Sequence, residues 1–313
     1  MRRLNWDETI RGDRMNHSLS DSAMDPDVDM SKRIRRLIPE QIQDKVSMFL
    51  FLVILPLLFT AVFFLVLTTW YPAFGEAWMI RVIPIIALLF NMYLNYIQVI
   101  RVGPNGNDSL LPKTYRAGFV FCPHCRMNAP PRTHHCPVCN VCSLRRDHHC
   151  SFAATCIGHF NQRYFCAAIL DLFMAALPAF YWTWSWMWLE LGTPSVGRMW
   201  QLMMPHVALV LRFLSLREFC YVGLCAVMLT TTGFNLYLIL AQAFCFWRGQ
   251  TRVEYLLDIH AYQLGLLGNL RQGLGTRWYL IWLSPFISSP LESNGQSYKT
   301  REMEKFSHSA KSL

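Results

Sequence analysis

Four long stretches without charge constrain this chain more than any other feature. Val46 to Phe74 holds no charged residue, nor does Val82 to Ile100 or Phe219 to Trp247, and Tyr164 to Leu189 holds only Asp171. About 20 apolar residues in a helix cross a bilayer core, and only a helix or a closed barrel satisfies its own backbone there. The runs therefore predict an α-helical integral membrane protein with four transmembrane helices. A composition of 53% hydrophobic and 16% charged residues sets it apart from ordinary soluble domains. The first run begins too late and extends too far for a secretory signal peptide.

The cations orient the spans. Nine Lys or Arg lie in residues 1–45, eight in 101–163 and eight in 247–313, against none from Trp70 to Met79 and three from Leu189 to Glu218. The positive-inside bias then places both termini and the middle loop in the cytosol. The expected organisation is a cytosolic tail over 1–45, helices 1 and 2 over 46–100, and a cytosolic cysteine-rich domain over 101–163. Helices 3 and 4 with a lumenal loop follow over 164–247, then a cytosolic region over 248–313. Met199 to Leu211 reads as one lumenal interfacial helix, and Trp182, Trp184, Trp186 and Trp188 as a lumenal aromatic belt. The basic KRIRR, Lys32 to Arg36, suits anionic headgroups, and the acidic SDSAMDPDVDM before it reads as disordered. The net charge of +9 flanks membrane spans, and no basic helix follows the cysteines, so nucleic acid is not expected as a partner.

Seven of the eleven cysteines fall between Cys122 and Cys156, in a loop facing the reducing cytosol, where metal explains them better than disulfides. The block repeats every fourteen residues. Cys122, Cys125, His135 and Cys142 recur as Cys136, Cys139, His149 and Cys156. Two interleaved C-x2-C-x9-H-x6-C units supply eight ligands, enough for two closed tetrahedral Cys3His zinc sites. A third unit from Cys150 would need Ala153, Arg163 and Leu170 as ligands, so Cys150 is left without metal. His134 and His148 are also fourteen apart, so spacing does not say which histidine of each pair binds. A cysteine spared from metal beside a free histidine and Asp147 has the parts of an activated nucleophile: thiol, proton acceptor and orienting carboxylate.

At CPHCRMNAPPRTHHCPVCNVCSLRRDHHC and CIGHFNQRYF, with Asn161 and Phe165, the chain resembles the DHHC-type zinc-finger protein S-acyltransferases, or palmitoyltransferases. The likeness extends to RGQTRVE, where the family usually has Thr-Thr-x-Glu, and to AYQLGLLGNL followed by LGTRWYLIWLSPF, with Asn269 at an asparagine motif. The resemblance implies that His135 and His149 complete the zinc quartets, that His148 is the free base, and that Asp147, His148 and Cys150 are catalytic. It further implies fatty acyl-CoA as donor, client proteins with membrane-proximal cysteines as acceptors, and an endomembrane location in the Golgi or endoplasmic reticulum. Arg132, Arg145 and Arg146 are then candidates for the CoA phosphates. Burying a palmitoyl tail, at about 0.8 kcal/mol per CH2, demands an apolar space beneath Cys150, for which Asn91, Asn95, Asp171, Asn235 and Gln242 are candidate lining or capping residues.

The chain departs from the family at Ala129, where a cation is usual, at Phe152 in place of Trp, and at Ala154-Thr155 in place of an Asp or Asn pair. Arg252 replaces the second threonine of Thr-Thr-x-Glu, and its side chain is expected to pair with Asp147 and weaken that residue's hold on His148. These departures keep a zinc-retaining pseudoenzyme or membrane scaffold as the alternative.

Overall fold

The computed structural model describes residues 39–106, 118–192 and 195–303. KRIRR and the acidic stretch before it lie outside the described residues. Among the described residues four helices are long and apolar enough to cross a membrane: α1 (Ile42–Thr69), α2 (Glu76–Val102), α3 (Gln162–Leu191) and α6 (Leu216–Arg248). The chain is a multi-pass membrane protein. Helix α1 starts earlier than its apolar run, so Asp44 falls in its first turn. It carries wide π-helical turns at Leu50–Ile54 and Val62–Val66. The first directly precedes Leu55-Pro56, where the missing proline N–H breaks the regular ladder.

Helix α3 is the most buried of the four and packs against both α2 and α6. Ala167, Ala175, Ala176 and Ala179 are fully buried along it, and such small side chains let membrane helices approach closely. Hydrogen bonds lock α1 onto α2: Trp78 Nε1 donates to the Phe63 carbonyl at 2.9 Å and Tyr93 Oη to the Phe51 carbonyl at 2.9 Å. Asn91 Nδ2 donates to Asp171 Oδ2 at 2.9 Å between α2 and α3, whereas Asn95 and Asn235 bond carbonyls of their own helices. These polar residues bind helix to helix or backbone.

Two expectations for the α3–α6 connection are corrected. Met199 to Leu211 is not one helix, because Met204 leaves the helical conformation ahead of Pro205 and divides the segment into α4 (Val196–Met203) and α5 (Pro205–Val210). The tryptophans form no exposed belt either. Trp186 and Trp188 are buried, the former edge-on to Tyr221 with centroids 4.4 Å apart, while Trp182 and Trp184 pack on core clusters.

Between α2 and α3 the chain forms three antiparallel hairpins: β1 (Val120–Cys122) with β2 (Met127–Ala129), β3 (His134–Cys136) with β4 (Val141–Ser143), and β5 (His148–Cys150) with β6 (Thr155–Ile157). Each hairpin starts fourteen residues after the last, so the sequence period is one repeated structural unit. Arg126, Asn140 and Ala154, also fourteen apart, hold positive φ of 50°, 52° and 48° in the three turns. Helix α3 takes the place of a fourth hairpin.

After α6 the chain turns at Gly249, whose φ of 67° ends the helix in the left-handed region. A Cβ there would come within 2.9 Å of Gln263 and Asn269, so glycine is required on two counts. Helices α7 (Arg252–Leu256) and α8 (Gly265–Leu274) follow. Asn269 binds this region to the end of α6, donating to the Phe246 carbonyl at 2.8 Å and accepting from the Leu264 amide at 3.0 Å.

Candidate active site

The hairpins bring the eight metal-ligating candidates together in two groups. Cys122 and Cys125 of the first hairpin meet His135 and Cys142 of the second; Cys136 and Cys139 of the second meet His149 and Cys156 of the third. Within each quartet the donor atoms all lie within 4.8 Å of one another. Tetrahedral zinc with arms of about 2.3 Å to sulfur has edges of roughly 3.8 Å. The first quartet shows 3.3 Å from Cys125 Sγ to His135 Nδ1 and 3.5 Å from Cys142 Sγ to Cys125 Sγ. The second shows 3.2 Å from Cys139 Sγ to His149 Nδ1 and 3.7 Å from Cys139 Sγ to Cys156 Sγ. Three thiolates and an imidazole at these spacings fit structural zinc. Each metal would staple consecutive hairpins, and none remains to pair with Cys150 on the third.

His134 and His148 stand outside both quartets. Burial, with Arg146 and Arg132 nearby, holds the His134 imidazole below its usual range. His148 points instead to Asp147, its Nδ1 2.8 Å from Oδ2, with Cys150 beside it. Burial pushes the His148 imidazole down, but the hydrogen bond to Asp147 and the nearby Cys150 sulfur outweigh it and raise it to about 9. Asp147 is buried, which alone would raise its carboxyl, yet its hydrogen bonds bring it down to about 2. Besides His148, Oδ2 accepts from Gln242 Nε2 at 2.7 Å, and Oδ1 accepts from the Arg252 backbone amide at 2.7 Å. The carboxylate is thus fixed from three elements: β5, α6 and α7.

The Arg252 contact corrects the sequence expectation. The side chain is exposed, and the bond to Asp147 comes from the backbone N–H. A capping box presents that amide: Thr251 Oγ1 accepts from the Glu254 amide at 3.2 Å and Glu254 Oε2 accepts from the Thr251 amide at 2.8 Å. Replacing threonine by arginine at position 252 therefore leaves the support of Asp147 in place.

A second correction concerns the arginines. Arg132 and Arg145 are buried and consumed internally, so neither faces solvent where phosphates would bind. Arg132 grips Glu254 with Nε–Oε1 at 2.5 Å and Nη2–Oε2 at 2.6 Å, donates to Gln272, and stacks on Tyr262 with its guanidinium carbon 4.4 Å from the ring centroid. Arg145 donates to Gln162, whose Nε2 donates to Gln242 Oε1 at 2.9 Å. A buried chain thus runs from Arg145 through Gln162 and Gln242 to Asp147. Arg146 is half-buried, its guanidinium against the Cys136 and Cys156 sulfurs.

Sequence reasoning missed Gln162, Thr251, Glu254 and Gln272 as parts of this site. It also missed His159, whose Nε2 donates to the Ser293 carbonyl at 3.0 Å, leaving Nδ1 to accept from Tyr298 Oη at 3.2 Å. Burial and then Arg145 push this imidazole down to about 3, so it stays neutral and clasps the C-terminal segment. A polar residue close to the end of an apolar run, as Gln162 and Gln242 are, was the one available signal.

Cys150 is half-buried above an apolar cluster that includes Tyr96, Ile157, Phe165 and Phe246. His148 lies edge-on to Phe165 at 5.0 Å. Tyr96 Oη donates to the Phe152 carbonyl at 2.9 Å, and the rings of Tyr96, Phe51, Phe152 and Phe234 form a continuous row with neighbouring centroids 4.8 to 6.2 Å apart. Asn161 holds the loop to the bundle, its Nδ2 donating to the Val99 and Cys156 carbonyls at 3.1 and 2.9 Å.

Four membrane helices with paired Cys3His clusters between the second and third, and a cysteine and histidine left over at the membrane edge, define a class. Residues 117–259 match the family model of the DHHC palmitoyltransferases, and the chain belongs to that family. It is 36% identical over 193 residues to a probable palmitoyltransferase ZDHHC24 of Danio rerio, covering 59% of this chain and 63% of that one. With the protein of the same name from Mus musculus it shares 30% over 226 residues, covering 68% and 75%. With that of Homo sapiens it shares 31% over 188 residues, covering 58% and 65%. The alignments thus span about two thirds of these relatives. The ending, AYQLGLLGNL followed by LGTRWYLIWLSPF, also resembles the family member numbered twenty-four, the name these relatives carry.

Proposed function

We propose that this protein is a cysteine S-acyltransferase that moves a palmitoyl or similar fatty acyl group from acyl-CoA, through a thioester on Cys150, to cysteines of client proteins at the membrane surface. The observation that supports this most is the environment of Asp147. Two donors from other elements, Gln242 Nε2 and the Arg252 amide, fix a buried carboxylate whose remaining partner is the His148 imidazole beside Cys150. So complete a support for an imidazole is what a positioned proton acceptor needs.

In the first step His148 takes the Cys150 proton and the sulfur attacks the thioester carbonyl. The carbon–sulfur bond to CoA breaks, CoA leaves as its thiol, and Cys150 is acylated. In the second step a client thiolate attacks the Cys150 thioester, takes the acyl group and returns Cys150 to its free form. Asp147 holds His148 in the Nδ1–H tautomer, directs its other nitrogen at sulfur, and stabilises the cation formed on proton transfer. The acyl chain lies along the row of Tyr96, Phe51, Phe152 and Phe234. Cys122, Cys125, His135 and Cys142 hold one zinc, and Cys136, Cys139, His149 and Cys156 the other; these ions supply rigidity to small hairpins that have little core of their own. Arg146 is the remaining arginine of the three offered for CoA, its side chain divided between the second quartet and solvent. The hairpins and both termini face the cytosol in an endomembrane, where acyl-CoA is available.

Incubation of the zinc-loaded protein with a palmitoyl-CoA analogue tests this. A hydroxylamine-labile acyl group on Cys150 is expected, and none on Cys150→Ser. Folded, zinc-loaded wild type that takes no label would overturn the transferase reading. Label that persists in Cys150→Ser would overturn the residue assignment.

A further inference from the structure

The two metal quartets share ligands and spacing but not surroundings. In the first, His135 stacks on the ring of His124 with centroids 4.7 Å apart, and among the described residues no carboxylate bonds it. In the second, His149 turns Nδ1 toward Cys139 and Cys136, at 3.2 and 3.9 Å, and Nε2 toward both carboxylate oxygens of Asp44, at 3.2 and 3.3 Å. Asp44 lies in the first turn of α1, 105 residues away in sequence, and is only 4% exposed.

Among the described residues this carboxylate makes no hydrogen bond within α1. The helix is fixed by apolar contacts through Phe59, Val62 and Val66 and by the bonds from Trp78 and Tyr93. Among the described residues, His149 is the sole hydrogen-bond partner of the Asp44 side chain. A buried carboxylate with one partner is costly unless that partner binds it well. An imidazole that donates Nε2–H to a carboxylate keeps the Nδ1 lone pair free, in a fixed direction and with raised basicity, and that is the role outer-shell carboxylates play toward metal-binding histidines.

We propose that Asp44 is the outer-shell partner of the second metal site, fixing the tautomer and direction of His149 and so tying the first membrane helix to the hairpin that carries Cys150. Charge is consistent with this. Three thiolates leave a divalent zinc site at −1, Asp44 adds a further negative charge, and the Arg146 guanidinium against Cys136 and Cys156 offsets it. Strand geometry gives the tie its consequence. Along β5 successive side chains point to opposite faces, so holding His149 on one face sets the direction of His148 and Cys150 on the other. Asp44 is a positioning residue, acting on the nucleophile only through His149. The inference rests on the metal-holding part of the proposed function and not on acyl transfer.

The test is zinc release from the full-length protein in detergent, followed with a chromogenic chelator. Wild type is expected to hold two zinc ions and release both slowly. Asp44→Ala is expected to release one ion about 10- to 100-fold faster, the usual effect of losing an outer-shell partner, and the other at the wild-type rate. Asp44→Asn keeps the shape and an oxygen acceptor but not the charge, and should fall between the two. It decides alone if Asp44→Ala is not recovered folded. Val62→Ala, which loosens the same helix in its buried core away from the hairpins, should leave both rates unchanged. In cobalt-loaded protein the ligand-field bands of one site should shift in Asp44→Ala and not in Val62→Ala. Wild-type release of both ions from Asp44→Ala, or from Asp44→Asn where that variant decides alone, would overturn the inference, as would equal acceleration by Val62→Ala. A wild type that binds fewer than two zinc ions would instead overturn the metal reading itself.

Discussion

The second and third hairpins are built from one fourteen-residue pattern, yet the same position does different work in each. Cys136 on β3 and Cys150 on β5 occupy equivalent places, paired across their hairpins with Val141 and Thr155. Cys136 has Cys139 three residues later and a following hairpin to complete its quartet. Cys150 has Ala153 and then helix α3. The difference shows what becomes of a repeated unit when its successor is missing: the fold still delivers the cysteine to a fixed place, and among the described residues no quartet forms around it.

The largest expected break in this comparison comes from the metal side. Cys156→Ser removes a ligand next to β5 and should release one zinc and abolish autoacylation. Cys125→Ser should also release one zinc, but its quartet is one hairpin further from Cys150, so more acylation should survive. Zinc stoichiometry and acyl labelling on the same samples check both. If Cys125→Ser proves the more damaging, the third hairpin does not depend specifically on the second metal.

Asp147→Asn keeps the shape of the side chain while removing the charge that supports His148. Autoacylation should fall by on the order of 10²-fold or more, with both zinc ions retained. A smaller pair of effects isolates the backbone contribution. Arg252→Pro deletes the amide that donates to Asp147 at a first helical position where proline is tolerated, and should slow acylation by about tenfold, the worth of one hydrogen bond to a charged group. Arg252→Thr keeps the amide and should change the rate less than twofold. Equal rates for both variants would show that the amide does not support Asp147.

The smallest effect concerns Ala154, which holds a φ of 48° in the third turn where Asn140 holds 52° in the second. Asparagine tolerates the left-handed region better than alanine, so Ala154→Asn should stabilise the protein by up to about 1 kcal/mol. Thermal unfolding measures it. This gives a physical sense to the family's preference for Asp or Asn at that position.

Much of this was legible because it is periodic. Spans show as uncharged runs, and the quartets as a fixed interval at which cysteine and histidine recur. The parts that were not legible depend on residues far apart in sequence. Asp44 meets His149 across 105 positions, Arg132 meets Glu254 across 122, and Gln242 meets Asp147 across 95. Each looks local in the sequence, as a tail charge, a loop charge and a polar residue at a span end. Arg132 and Arg145 read as candidates for the CoA phosphates because they sit in a loop, yet the C-terminal region folds back over that loop and encloses them. Arg252 misled for a different reason: its contribution comes from the backbone, which every residue except proline can supply.

The central claim is that the metals hold the hairpins while Cys150 performs the chemistry. Rapid mixing of the zinc-loaded protein with palmitoyl-CoA, reading free CoA and free zinc together, tests it most directly. The expected result is a burst of about one CoA per chain with no zinc released, absent from Cys150→Ser although that variant keeps both ions. A burst that persists in Cys150→Ser, or one in wild type that is accompanied by zinc release, would contradict it.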